Sequence, residues 1–181
     1  MPRVHILGAS GSGTTTLGVV LAAHLGVKQV DADMLFWLPT EPPFTTQRPA
    51  EARRALLQQA LPEDGSWVFS GSAMRWGAPV EQFYDLIVFL HLDPALRMAR
   101  LRRRETQRYG ARIEAGGDMA AASAKFLDWA AAYDTAGLEQ RSVLAHEAWL
   151  STQTAPMLRL DSAAPVETLI ATVLSQLAYR H

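Results

Sequence analysis

The stretch that most limits what this chain can fold into is Val4-His5-Ile6-Leu7-Gly8-Ala9-Ser10-Gly11-Ser12-Gly13-Thr14-Thr15-Thr16-Leu17. An apolar run enters a turn carrying three glycines, and the turn opens into a helical pattern. From Gly8 to Gly13 the spacing is G-x-x-x-x-G, the phosphate-cradling pattern that ordinarily continues as K-[ST]. Glycines reach φ > 0 and let backbone N–H groups close around phosphate oxygens. A helix starting near Gly13 adds unpaired N–H groups and the positive end of its dipole. The candidate phosphate-binding residues are therefore Gly8, Ser10, Gly11, Ser12, Gly13, Thr14, Thr15 and Thr16. Thr15 falls where a hydroxyl ligates Mg²⁺.

Position 14 departs from the pattern. Lysine belongs there, reaching the β- and γ-phosphates, and the chain has threonine. The only lysines are Lys28 and Lys125, so the loop offers a backbone nest and hydroxyls without a point charge. Dinucleotide-binding folds also begin with strand, glycine turn and helix. However, glycines at 8, 11, 13 and 18 fit neither G-x-G-x-x-G nor G-x-x-x-G-x-G.

At 181 residues the chain reads as a single domain, 1–181, long enough for a full core. A net charge of −1 argues against a dedicated nucleic-acid partner or a polybasic membrane anchor. The absence of cysteine excludes disulfides and thiolate metal sites and suits the cytoplasm. No signal-peptide pattern precedes the first strand, and no apolar run approaches membrane-spanning length. The expectation is a cytoplasmic protein, monomer or homodimer.

Helical spacing predicts a helix over 14–25, with Gly26 as its C-cap. A short strand over 27–30 then delivers Asp31-Ala32-Asp33 at its carboxyl end, where ligands bind in parallel sheets. Strand alternation would point both carboxylates to one side. Either aspartate also fits as a helix N-cap or a solvated loop residue. Prolines 39, 42 and 43 preclude a regular helix there. Phe36, Trp37 and Phe44, with Thr45, Thr46 and Arg48, suit a substrate pocket or a loop packed on the core.

A helix over 49–61, a strand over 67–70 and a buried strand over 85–92 follow. Asp93-Pro94 reads as an N-cap with proline at the first helical position, not as a catalytic pair. The helix behind it carries Arg97, Arg100, Arg104 and Arg108 three or four residues apart, predicting one shared face. Most of these suit a solvated face. The stretch 102–118 nevertheless has the make-up of a lid whose arginines could supply the charge that Thr14 does not. Helices over 119–136 and 142–152, a strand over 156–161 and a helix over 165–179 close the chain. His146-Glu147 lacks a second histidine at zincin spacing, and Arg141 and Trp149 have no assigned role.

This order of elements resembles the small P-loop kinases: adenylate, shikimate and gluconate kinases. Gly8 to Thr15 matches their phosphate loop, and the chain is most similar to bacterial adenylate-kinase-like proteins whose loop also reads GASGSGTTT. Asp31-Ala32-Asp33 looks like the D-x-D of shikimate kinases, which serves Mg²⁺ and the acceptor hydroxyl. Gly71-Ser72 sits where those enzymes keep a small-residue substrate turn, and Arg104 to Arg112 where they keep lid arginines. The resemblance implies a three-layer α/β domain with a five-stranded parallel sheet in order 2-3-1-4-5 and helices on both faces. It implies an ATP-dependent phosphotransferase acting on a small-molecule acceptor, a nucleoside or nucleotide among those that fit. Asp33, Arg104 and Arg108 are its catalytic candidates, and Thr15, Asp31 and Asp33 its Mg²⁺ candidates. The alternative is a nucleotide-binding or sensing module without phosphoryl transfer, for which Thr14 is the argument.

Overall fold

Five parallel strands, β1 (Arg3–Gly8), β2 (Lys28–Asp31), β3 (Trp67–Ser70), β4 (Leu86–His91) and β5 (Met157–Asp161), form one sheet in order 2-3-1-4-5. The computed structural model describes residues 2–179. β1 lies at the centre, paired to β3 with Val4 opposite Val68 and to β4 with Val4 opposite Leu86. Period-two alternation splits the buried side chains between two cores. Val4, Ile6, Leu86, Val88 and Leu90 pack against α1 (Thr14–Leu25) and α8 (Val166–Ala178) through Leu17, Leu21, Ile170 and Val173. Leu7, Phe69, Ile87 and Phe89 face the other way, toward Leu57 of α3 (Ala50–Ala60) and Leu150 of α7 (Val143–Leu150). The inner strands β1, β3 and β4 are covered on both faces and read as mostly apolar runs, whereas the edge strands β2 and β5 are only partly buried.

Three short or paired elements complete the site's surroundings. α2 (Ala32–Phe36) directly follows β2, and α4 (Ala78–Glu81) follows the β3 turn. α5 (Pro94–Tyr109) and α6 (Ala120–Ala131) pack as a hairpin with its own small core of Met98, Leu101 and Ala130. Asp93 caps α5, its Oδ1 accepting from the N–H groups of Ala95 (3.0 Å) and Leu96 (3.1 Å), with Pro94 at the first helical position. The stretch 102–118 comprises the second half of α5, a 3-10 turn over Gly110–Ile113 and the link to α6. Its tip is docked on the 37–48 loop. Tyr109 Oη donates to the Pro43 carbonyl at 3.0 Å, and Arg112 bonds both Glu41 (2.7 Å) and Asp118 (2.7 and 3.0 Å).

Two sequence expectations change here. β2 ends at Asp31 and the chain turns helical at once, so strand alternation does not relate Asp31 to Asp33; Asp31 is the N-cap of α2, accepting the Asp33 N–H at 2.9 Å. The predicted arginine face of α5 is also divided. Arg97 turns inward and is buried, bonded to the Ala130 carbonyl (2.8 Å) and to Asp134 (2.6 Å). Among the described residues no helix is long and apolar enough to cross a membrane.

Candidate active site

The turn between β1 and α1 is built for an anion. Gly13 caps α1 at φ +92°, with no side chain hydrogen-bonded to the helix's first N–H groups. A Cβ placed on Gly13 would have nothing within 4 Å, so the space above it is open. Gly11, at φ +86°, is a glycine for a second reason. A Cβ there would lie 2.8 Å from Leu101 Cγ and 3.1 Å from the Arg97 carbonyl, so α5 is pressed directly against the loop. The Ser12 hydroxyl is buried under the turn, against the position a Gly8 side chain would take, without a partner among the described residues.

Gly11 to Thr16 line one wall of a cleft of about 660 Å³, while Gly8 and Ser10 lie outside it. Arg100, Leu101, Arg103, Arg104, Gln107 and Arg108 of α5 line it as well, and Leu90, Ser162, Ala164, Val166 and Leu169 complete it. The cleft is thus a neutral loop facing a cationic helix. Arg104 forms no hydrogen bond or ion pair among the described residues, whereas Arg108 lies 3.8 Å from Glu105 and 4.3 Å over the Phe44 ring. Burial and the neighbouring Arg108 both lower the Arg104 pKa from its ordinary value, as expected for crowded like charges.

Asp31 meets the loop at Thr15, a residue that also lines the cleft. Thr15 Oγ1 donates to Asp31 Oδ2 at 2.7 Å, and Ser70 Oγ reaches the same oxygen at 3.2 Å, itself held by Gln29 Nε2 at 2.6 Å. A hydroxyl and a carboxylate in contact, all oxygen, suit Mg²⁺. Among the described residues no three His, Cys, Asp or Glu cluster where they could hold a metal ion. Asp33, in the first turn of α2, is an exposed residue. Burial, then the Asp31 charge, push its carboxyl above the usual range, while Arg141, Arg104 and Arg108 pull it back.

Arg141, left without a role by its sequence context, joins them from the turn before α7. Nothing local marks it; it lies over the Trp129 ring at 5.4 Å, and its charge favours the ionised form of Asp33. Other candidates are occupied elsewhere. Ser72 hydrogen-bonds His146 Nε2 at 3.1 Å, and His146 Nδ1 bonds Tyr133 Oη at 2.8 Å, both inside the core. Gly71, at φ +95°, lets α2 approach, since a Cβ would meet Ala32 Cβ at 2.8 Å. Arg75 donates to the Leu138 carbonyl at 2.6 Å. Phe36 packs on the core beside Trp76, while Trp37 and Phe44 remain half-buried in the 37–48 loop.

A family model described as an AAA domain matches residues 4–120, a span that contains the loop, both aspartates and the whole of α5. The chain belongs to the AAA domain family. This AAA-domain chain is 40% identical over 176 residues, 97% of each chain, to the uncharacterized protein YqaC of Bacillus subtilis (strain 168). Its fold is similar to that of a shikimate kinase from Bacteroides thetaiotaomicron, with a TM-score of 0.60 at 18% identity over 98% of both chains. A shikimate kinase from Acinetobacter baumannii in complex with shikimate aligns at TM-score 0.56 and 17% identity, over 99% of this chain and 94% of that one. A gluconokinase from Sinorhizobium meliloti aligns at 0.51 and 13%, over 99% and 97%. The sheet order and its surrounding helices are those of the small P-loop kinases.

Proposed function

We propose that this protein is an ATP-dependent phosphotransferase for a small hydroxylated acceptor. The observation that carries the reading is the cleft itself: a glycine loop with open space above Gly13, lined also by Arg104, with Thr15 hydrogen-bonded to Asp31. The fold's likeness to shikimate kinase and gluconokinase supports small-molecule phosphorylation in general. Phosphoryl transfer is catalysed chiefly by positioning and charge neutralisation, so a cradle, a divalent ion and cations are the parts required. Thr15 and Asp31 would hold Mg²⁺, with Asp33 beside them. The ion would offset charge on the β- and γ-phosphates. The loop N–H groups hold the phosphates, and Arg104 and Arg108 supply the positive charge that a loop lysine ordinarily gives. An acceptor hydroxyl oriented by Asp33 forms a new O–P bond as the bond from the γ-phosphorus to the bridging oxygen breaks. ADP departs with that electron pair, and the hydroxyl proton passes to the Asp33 carboxylate. The 102–118 tip, resting on the 37–48 loop, serves as the lid that excludes water during transfer.

One observation favours a second reading. Thr14 removes the charge most P-loop enzymes place on the transferring group, as a nucleotide sensor without turnover would tolerate. Calorimetry with ATP and ADP, with and without Mg²⁺, tests the cradle. Incubation with ATP across an acceptor panel, scored for ADP and phosphorylated product together, tests the transfer. Mg²⁺-dependent nucleotide binding with no product across sugars, hydroxy acids, nucleosides and nucleotides would overturn the kinase reading and leave the sensor.

A further inference from the structure

The inward stripe of α5 carries Arg97, Leu101, Glu105 and Tyr109, all buried. Arg97 is committed to Asp134 and the Ala130 carbonyl, and Leu101 packs in the hairpin's core. Glu105 is the odd member, because it places a carboxylate where an apolar side chain would pack without desolvating a charge. Its Oε2 accepts from Ser123 Oγ of α6 at 2.8 Å. Its Oε1 forms no hydrogen bond among the described residues, and its cation, Arg108, stops at 3.8 Å. That separation is an ion pair without a hydrogen bond. A carboxylate offers about four acceptor positions, and here one hydroxyl serves them.

Arg108 is uncommitted in the same way. It lies 4.3 Å over the Phe44 ring, forms no hydrogen bond among the described residues, and lines the phosphate cleft with Arg104. A ring holds a guanidinium by its quadrupole and leaves the N–H donors free. Arg104 and Arg108 are neighbours on one helix face and repel, and the Glu105 charge offsets that repulsion. Arg108 thus has two claims on it, one from the Glu105 carboxylate and one from any anion that enters the cleft. The Ser123 hydroxyl decides how strongly the first competes, because it holds the carboxylate short of a hydrogen bond to Arg108.

We infer that Glu105 is a positioning residue acting through Arg108: restrained by Ser123, it keeps Arg108 at the cleft without capturing it, and a phosphate entering the cleft draws Arg108 away. That the entering anion is a nucleotide phosphate rests on the phosphotransferase reading; the restraint rests on the Glu105, Ser123 and Arg108 distances. Two substitutions should then act with opposite sign. Glu105→Gln keeps an acceptor for Ser123 and removes the competing charge, so phosphate binding tightens. Ser123→Ala releases the carboxylate to turn onto Arg108, its i,i+3 neighbour, so phosphate binding weakens. A merely structural contact between α5 and α6 would give one sign, since losing it from either side would loosen the hairpin and weaken binding.

The test titrates the full chain with the β,γ-imido analogue of ATP in the presence of Mg²⁺, followed by calorimetry. Affinity should rise roughly threefold to tenfold in Glu105→Gln and fall by a similar factor in Ser123→Ala, the scale of coupling between charges in contact. In an Arg108→Ala background both shifts should shrink to within about twofold. Shifts of the same sign, no shift in either variant, or shifts that persist without Arg108 overturn the inference. If Glu105→Gln does not fold, Ser123→Ala with and without Arg108 decides alone. A second measurement needs no nucleotide. Urea unfolding of the cycle built from Glu105→Gln and Arg108→Ala should show weak coupling, within about threefold in the unfolding constant, growing to about tenfold when the cycle is repeated in Ser123→Ala. Coupling that does not grow overturns the restraint, whether or not the analogue binds. Coupling that grows while the analogue fails to bind upholds the restraint and refutes the phosphate-loop reading alone.

Discussion

Two neighbouring glycines of the loop should respond differently to the same added methyl group. In Gly11→Ala the new Cβ meets Leu101 Cγ at 2.8 Å and the Arg97 carbonyl at 3.1 Å, on a backbone already at φ +86°. Left-handed backbone costs a non-glycine residue about 1–2 kcal/mol, and forcing a methyl into packed structure adds about 1–3 kcal/mol. The expected loss is therefore about 2–5 kcal/mol. In Gly13→Ala the backbone cost is similar, at φ +92°, but nothing lies within 4 Å of the methyl. That variant should lose only about 1–2 kcal/mol. Binding should rank the other way. The Gly13 methyl occupies the space through which phosphate oxygens reach the N–H groups, so ADP affinity should fall on the order of 100-fold, as loss of charge-assisted hydrogen bonds implies. Urea unfolding gives the stabilities, and calorimetry with ADP and Mg²⁺ gives the affinities. A folded Gly13→Ala that binds ADP like the parent would refute the cradle assignment. Equal destabilisation by the two substitutions would refute the contact between α5 and the loop.

Other expectations follow from individual groups. Arg104→Ala should cut turnover on the order of 10³-fold, the scale of an arginine at the transferring phosphate, with a much smaller change in ATP affinity; equal small effects on both would return Arg104 to a solvated face. His5 and His146 are buried and neutral, held down to about 4 and about 3 from an ordinary 6.5, chiefly by burial. As pH falls below 6.5 the unfolded chain takes up protons that the native state refuses, so stability declines until the native values are reached. The decline is about 1.4 kcal/mol per pH unit for each histidine, or about 2 kcal/mol each at pH 5. His146→Gln should remove its share of the loss between pH 7 and pH 5 in urea titrations, and parallel curves for parent and variant would contradict this. Arg97→Met keeps the buried stem but loses the bonds to Ala130 and Asp134, for about 1–3 kcal/mol; an unchanged urea midpoint would show those bonds to be without net effect.

The sheet was legible because parallel strands covered on both faces leave uninterrupted apolar runs, as in Leu86–His91, and because Gly26 and Asp93-Pro94 mark helix ends by local chemistry. The turn after β1 was legible for the same reason: glycine spacing marks where the backbone becomes left-handed, at Gly11 and Gly13. The acidic pair was only half legible. Composition placed Asp31 and Asp33 at a strand end, but their geometry depends on where β2 yields to α2, and that boundary is set when Asp31 caps the helix and bonds Thr15. Arg97 reads like its neighbours in the arginine run; only Asp134 and Tyr133, some way along the chain, make it a core residue. Arg141 carries no local signal, since the ring it lies over, Trp129, is on another element.

The contact between Gly11 and α5 makes the phosphate loop a shared part. At Gly11 its inner wall is the Arg97 carbonyl and the Leu101 side chain, while at Gly8 it is Leu90 of β4. The helical hairpin therefore cannot be exchanged as a module, as peripheral insertions often can. A shortened or grafted α5 would leave the loop's glycines without the surface that shapes them, even with all five strands intact. Substrate specificity in this fold would have to change through the hairpin's outer face and tip, because its inner face is committed to holding the cradle.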